Sequence, residues 1–215
     1  VELEIRADSG ETTTLEKADG AWQIVEPTSV DADASEASSI TSSLASLEIQ
    51  RVVDEEPGDL EPFGLAEPRI EVAFKIDEET DLGLQIGDTA PTGDTLYASV
   101  EGENRVILIS GFLDRTFNRT TFDLRDKAIL QFDSNAVDAV DVDGPAQAVR
   151  LAKGESVWTM TEPWQARGDY GTVEGLIGRL STAQMRSIET EEASDLSAFG
   201  LDRPEMTVTI AEESA

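Results

Sequence analysis

Asp59-Leu60-Glu61-Pro62-Phe63-Gly64-Leu65-Ala66-Glu67-Pro68 is written a second time as Asp195-Leu196-Ser197-Ala198-Phe199-Gly200-Leu201-Asp202-Arg203-Pro204, at an offset of 136 residues. Each shared position has a structural task. Asp59 and Asp195 are placed to cap a helical turn, and Leu60, Phe63, Leu196 and Phe199 to point inward. Gly64 and Gly200 supply the positive φ that stops the turn, and Pro68 and Pro204 start a strand. On this reading Gly64→Val or Phe199→Ala is expected to cost about 2 to 5 kcal/mol.

Working outward, the register holds without a gap from Leu15/Leu151 to Phe74/Ile210. It takes in Trp22/Trp158, expected in the core, together with Pro27/Pro163, Asp33/Asp169, Ile40/Leu176 and Leu44/Leu180. A long ungapped match of apolar and turn positions means one fold used twice. The pattern restarts around Phe132-Asp133-Ser134, so the repeats are 1–133 and 134–215. The second is truncated, lacking nearly everything after its equivalent of Phe74, so its sheet either ends there or the parent protein continues past Ala215.

Apolar alternation predicts strands at Val1 to Ile5, Thr12 to Lys17 and Ala21 to Val25, with turns at Asp8-Ser9-Gly10 and Asp19-Gly20. Asp33 with Glu36 three residues on has the spacing of a capping box, opening a helix to about Leu47 with Ala37, Ile40, Leu44 and Leu47 on one stripe. A short strand at Ile49 to Val53 follows. Ile70 to Ile76 and Leu82 to Ile86 alternate again, with Asp77 to Thr80 closing their hairpin. Pro91-Thr92-Gly93-Asp94 is a turn before a hairpin of Leu96 to Val100 and Arg105 to Ser110. A helix at Phe112 to Asn118 and an extended Phe122 to Lys127 end the first repeat. The fold class is α+β: two tandem, mainly antiparallel sheets, each with a covering helix, the second partial.

Composition excludes several functions. With 45 acids against 16 bases the net charge is −29, which repels nucleic acid and anionic headgroups. Among the bases Arg dominates, because Lys occurs only at 17, 75, 127 and 153. Cysteine and histidine are absent, removing disulfides, thiolate ligands, and the commonest general base and metal ligand. The longest uncharged apolar run, Val106 to Ile109, is far short of the roughly 20 residues of a spanning helix. Val1 is not Met and the chain opens in a strand-like run, which points to a piece of a longer protein.

No catalytic, metal or cofactor site is expected. Asp141-Val142-Asp143-Gly144 has the start of a calcium loop, but Ala146, Gln147 and Ala148 follow, so a hairpin turn explains it better. Asp31 and Asp33 read as part of a helix cap, since Asp169 keeps only one of the pair. Without His, a Ser-Lys arrangement is the remaining nucleophile, and Lys17 and Lys153 show no partner. The glycines at 83, 87 and 93 lack phosphate-loop spacing. The candidate binding residues are Trp164 and Tyr170 beside Arg167, because the first repeat has Thr28 and Ala34 at the aromatic positions. Unpaired aromatics could stack on a sugar or hold a protein partner, with ordinary packing as the competing account.

The Trp-x-Ile-x-x-Pro strand end, the Asp-capped helix, the Asp-Leu-x-x-Phe-Gly-Leu-x-x-Pro string, Ile86-Gly87-Asp88 and Phe122 to Lys127 together resemble the bacterial domain-of-unknown-function family numbered 4340. The likeness covers nearly the whole chain. It implies an extracytoplasmic body, membrane-anchored in the parent protein through a helix this chain does not contain, in some members beside ABC transporter genes and similar in setting to gliding-motility auxiliary proteins. It carries over no catalytic residues. The expected function is a non-enzymatic interaction or scaffold module accessory to a transporter-linked envelope complex, with a protein partner in the envelope. A carbohydrate-binding module for envelope polysaccharide is the alternative.

Overall fold

Alternating apolar strands that are too short to fold alone must share a sheet, and the chain builds two such sheets. The structure is a computed structural model and describes residues 1–76, 81–91 and 93–212. The expected turn residues Asp77 to Thr80, and Thr92, lie outside the described residues. The chain forms two compact units, Val1–Asp126 and Lys127–Ala215. This division falls ahead of the restart at Asp133-Ser134 because the backbone of 127–129 joins unit 2: Ile129 N–H donates to Ala183 O at 3.1 Å and Met185 N–H to Lys127 O at 2.8 Å.

Unit 1 contains β1 (Glu2–Arg6), β2 (Thr12–Ala18), β3 (Ala21–Glu26), β4 (Val30–Asp31), α1 (Ala34–Ala45), β5 (Arg51–Asp54), β6 (Ile70–Lys75), β7 (Asp81–Thr89), β8 (Thr95–Val100), β9 (Val106–Ser110), α2 (Leu113–Phe117) and α3 (Thr121–Leu124). Its nine-stranded antiparallel sheet has the order β4-β3-β2-β1-β6-β7-β8-β9-β5. The inward residues of the strands, among them Leu3, Ile5, Ile70, Ile86 and Ile109, form one core with Ala37 and Ile40 of α1, Phe117 of α2 and Leu124 of α3.

Unit 2 contains β10 (Val137–Asp143), β11 (Ala148–Lys153), β12 (Trp158–Glu162), β13 (Ala166–Arg167), α4 (Tyr170–Ser181) and β14 (Thr207–Glu212). The order β13-β12-β11-β10-β14 reproduces β4-β3-β2-β1-β6. Even the register shift recurs, between Thr14 and Leu15 in β2 and between Arg150 and Leu151 in β11. The fold is therefore α+β and duplicated, and the second copy has no counterpart of β7, β8 and β9 among the described residues. The counterpart of β5, residues 187–190, is not a strand. In unit 1 that strand pairs with β9, and without β9 an isolated strand has nothing to bond.

Several local expectations are corrected. Asp33 Oδ1 accepts from Ser35 N–H at 2.8 Å and Glu36 N–H at 3.2 Å, but no capping box forms. The Asp33 N–H donates to Leu124 O, and Glu36 instead pairs with Arg119 at 2.9 Å. The box occurs at Thr120 and Asp123, where it turns the start of the expected extended segment Phe122 to Lys127 into α3. In α4 the fully buried residues are Val173 and Ile177, with Leu176 partly buried. Ile177 occupies the place of Thr41, whose hydroxyl in α1 bonds back to Ala37 O at 3.0 Å, so the apolar stripe of α4 is turned by one position.

Candidate functional site

The duplicated string forms the same backbone twice. Glu61–Phe63 and Ser197–Phe199 are single 3-10 turns ended by Gly64 at φ 67° and Gly200 at φ 69°. Glu61 N–H donates to Asp59 Oδ1 at 3.0 Å, and Ser197 N–H to Asp195 Oδ1 at 2.8 Å. Leu65 N–H donates to Leu60 O at 3.1 Å and Leu201 N–H to Leu196 O at 3.0 Å. The glycines carry out the task assigned to them, whereas Asp59 and Asp195 lie one residue ahead of the N-caps Leu60 and Leu196 and accept only from the first residue of the turn, and the strands begin beyond the prolines, at Ile70 and Thr207.

What surrounds the two turns differs. In unit 1 the turn lies against β7 and β8: Phe63 meets Tyr97 edge-on at 5.1 Å, and Gly64 backs onto Asp88. Leu65 is 3% exposed and Ile70 is fully buried. In unit 2 the equivalent residues face solvent, with Phe199 49%, Leu201 59% and Met206 60% exposed. The expectation that Phe199 is a core residue is therefore wrong. In the first copy Phe63 is partly buried against Tyr97 of β8, a strand with no counterpart in the second copy among the described residues.

Trp22 and Trp158 are both core residues, the latter fully buried. Lys17 and Lys153, expected to have no partner, lie over these rings at 5.6 and 5.4 Å. Unit 2 adds a third member, Glu174, where unit 1 has Ser38. The Trp158 indole N–H donates to Glu174 Oε1 at 2.9 Å, and the Lys153 ammonium lies 3.1 Å from the same oxygen. The indole hydrogen bond first, and Lys153 second, hold the Glu174 carboxyl below the ordinary glutamate range. Lys153 thus packs over the indole and pairs with Glu174.

The sign of the linkage follows. A carboxyl depressed by folding contributes stability that is fully present above the unfolded-state value and is lost as pH falls through the folded one. Glu174→Gln is expected to destabilise unit 2 by about 1 kcal/mol near neutrality. The gap between the variant and the parent should close at acid pH. Melting curves in a series of buffers check this, and a gap constant with pH would contradict it.

The other acidic candidates are taken up by structure. Arg150 pairs with Asp143 at 2.7 Å and with Asp141 at 3.4 Å across the β10–β11 hairpin. Asp33 and Asp169 cap α1 and α4. Of the candidate binding residues, Trp164 is 61% and Tyr170 56% exposed, and Arg167 is exposed as well. Trp164 lies in the bend between β12 and β13, Arg167 on edge strand β13, and Tyr170 at the first position of α4. One short stretch of unit 2 thus carries all three.

Sequence reading missed an apolar groove of about 260 Å³ in unit 1, lined by Leu44, Leu47, Phe74, Ile76, Leu82 and Val100 among others. Phe74 pairs across strands with Leu82. Ile76 and Leu82 are about half exposed because the apolar alternation of β6 and β7 runs on past Ala45, where α1 ends. The signal was present, a strand register longer than its covering helix.

These features define a duplicated α+β sheet protein with exposed aromatic and apolar residues in both copies. The chain belongs to the family described as Domain of unknown function (DUF4340), which matches residues 22–166 and again residues 158–215. No curated protein and no solved structure shows significant similarity to it.

Proposed function

We propose that the chain is a non-catalytic interaction or scaffold module of the cell envelope, accessory to a transporter-linked complex, with the stretch from Trp164 to Tyr170 in its contact surface. The observation that carries this reading is the exposure of Trp164 and Tyr170 at positions where the first copy has Thr28 and Ala34. Shared residues keep the fold, and large aromatics added to an exposed edge supply contact area at small entropic cost. The envelope setting comes from the family resemblance. Double substitution of Trp164 and Tyr170 by alanine is expected to reduce capture of an envelope partner from membrane extracts at least tenfold, with an unchanged melting curve. Equal capture by the variant and the parent chain would remove these residues from the surface.

The same exposed ring faces beside Arg167 favour a second reading, a carbohydrate-binding module for envelope polysaccharide. A glycan array probed at moderate salt separates the two.

A further inference from the structure

Two cavities flank the last turn of α1 in unit 1, and Leu47 lines both. The first is the apolar groove of about 260 Å³, in which Thr41 is the one polar side chain, and its hydroxyl already donates to Ala37 O at 3.0 Å. The floor of the groove is sheet whose strands are paired on both sides: Phe74 of β6 stands opposite Leu82 of β7, and Leu84 opposite Val100 of β8. With no ladder bonds left to offer there, a polypeptide lying in the groove would leave its own amides unpaired. An alkyl chain has no such groups. At ~30 Å³ per methylene, close to the share of a water molecule in the liquid, the groove holds roughly eight or nine of them.

The second cavity, about 280 Å³, is of the opposite character, with Ser43, Ser46, Glu48, Gln50, Ser110 and Phe112 in its lining. Phe112 is its aromatic member and is 67% exposed. Ser46 Oγ donates to Ser42 O at 2.8 Å, which leaves the hydroxyl oxygen to accept. The last turn of α1 has no basic residue, and neither cavity has a Lys or Arg among the described residues that line it. A carboxylate, an amide, hydroxyls and a helix C-terminus together present mainly acceptors, which are met by O–H donors. A phosphate or carboxylate head would find no cation here and would be repelled by the net charge of −29.

We infer that the C-terminal end of α1 is a binding site for a single-chain amphiphile of glycolipid type. Its alkyl tail lies in the groove between α1 and β6 to β8, and its uncharged, polyhydroxylated head lies in the serine-lined cavity. There the sugar hydroxyls donate to Glu48 and Gln50 while the C–H face of the ring rests on Phe112. The groove supplies affinity in proportion to the tail it covers, and the second cavity supplies the choice of head. Every wall is an internal element of unit 1, and none belongs to the stretch from Trp164 to Tyr170. Failure of this site would leave the proposed contact surface untouched.

The test is isothermal titration calorimetry of the full chain with alkyl glucosides held below the concentrations at which they form micelles. Hexyl, octyl and decyl glucoside should bind saturably, each added pair of methylenes tightening binding about tenfold. Dodecyl glucoside should gain little more, because the groove is then full. Decanoate should bind at least tenfold more weakly than decyl glucoside, with added salt narrowing the gap. Ala45→Trp, at an exposed position on the groove wall, should weaken every alkyl probe at least tenfold. Phe112→Ala should weaken decyl glucoside several-fold and leave decanol unchanged. Neither substitution should move the melting curve, since both residues are exposed, and the chain-length series on the parent protein depends on no variant. Absence of saturable binding, affinity independent of chain length, decanoate as tight as decyl glucoside, or binding unchanged in Ala45→Trp would each overturn the inference. An equal response of decyl glucoside and decanol to Phe112→Ala would overturn the placement of the head.

Discussion

Gly64→Val is expected to destabilise unit 1 by about 3 to 5 kcal/mol, while Gly200→Val costs unit 2 only about 1 to 2 kcal/mol. Both glycines have nearly the same left-handed backbone, φ 67° and φ 69°, so the conformational penalty for a β-branched residue is common to both. The surroundings make the difference. A Cβ on Gly64 would lie 2.7 Å from Asp88 Cγ and 2.8 Å from Asp88 N, and the latter is sheet backbone that cannot retreat without opening β7. A Cβ on Gly200 meets nothing within 4 Å. Denaturation followed by hydrogen-exchange mass spectrometry, which reads the units separately, checks both variants. Equal losses would contradict the argument. By the same reasoning, truncating half-exposed Phe199 should cost about 1 kcal/mol or less, below the 2 to 5 kcal/mol that its sequence context suggests.

Trp158→Ala is expected to unfold unit 2 and leave unit 1 folded. Removing a large buried aromatic costs about 3 to 5 kcal/mol through lost transfer energy and the cavity left behind. That loss falls on a small core, whose fully buried members are Val137, Val140, Trp158, Val173 and Ile177. Small units have little stability in reserve. The substitution also strips Glu174 of its indole donor and Lys153 of its ring. Trp22→Ala makes a similar cavity in unit 1, but there nineteen buried residues among those described share the core, and the unit should stay folded with a lowered melting temperature. Exchange protection is the measurement: amides of β10 to β12 should lose it in Trp158→Ala while those of β1 to β9 keep it. Protection retained in unit 2 would show that its stability lies elsewhere.

Much of the fold was legible because its signals are local. Alternation marked the strands, Gly10, Gly20, Gly64 and Gly200 marked chain reversals with positive φ, and Asp33 and Asp169 marked helix starts. The offset between the copies then supplied long-range information, since a shared fold implies a shared strand order. Trp164, Tyr170 and Arg167 could be singled out as unmatched between copies, but their exposure depends on what packs nearby, which no local pattern states. Glu174 was overlooked because its partners Trp158 and Lys153 lie on other elements. The α3 turn was read as extended because apolar and charged residues alternate there, while the Thr120–Asp123 box that decides it works through hydrogen bonds.

The sequence by itself determined the duplication, the α+β class and the backbone of the Asp-Leu-x-x-Phe-Gly-Leu turn, because caps, positive-φ glycines and alternation act within a few residues. The tertiary structure alone decided that this turn is covered in one copy and open in the other. Burial is a property of neighbours brought from far along the chain: Phe63 is partly buried against Tyr97 of β8, and Phe199, in an equivalent local conformation, is half exposed.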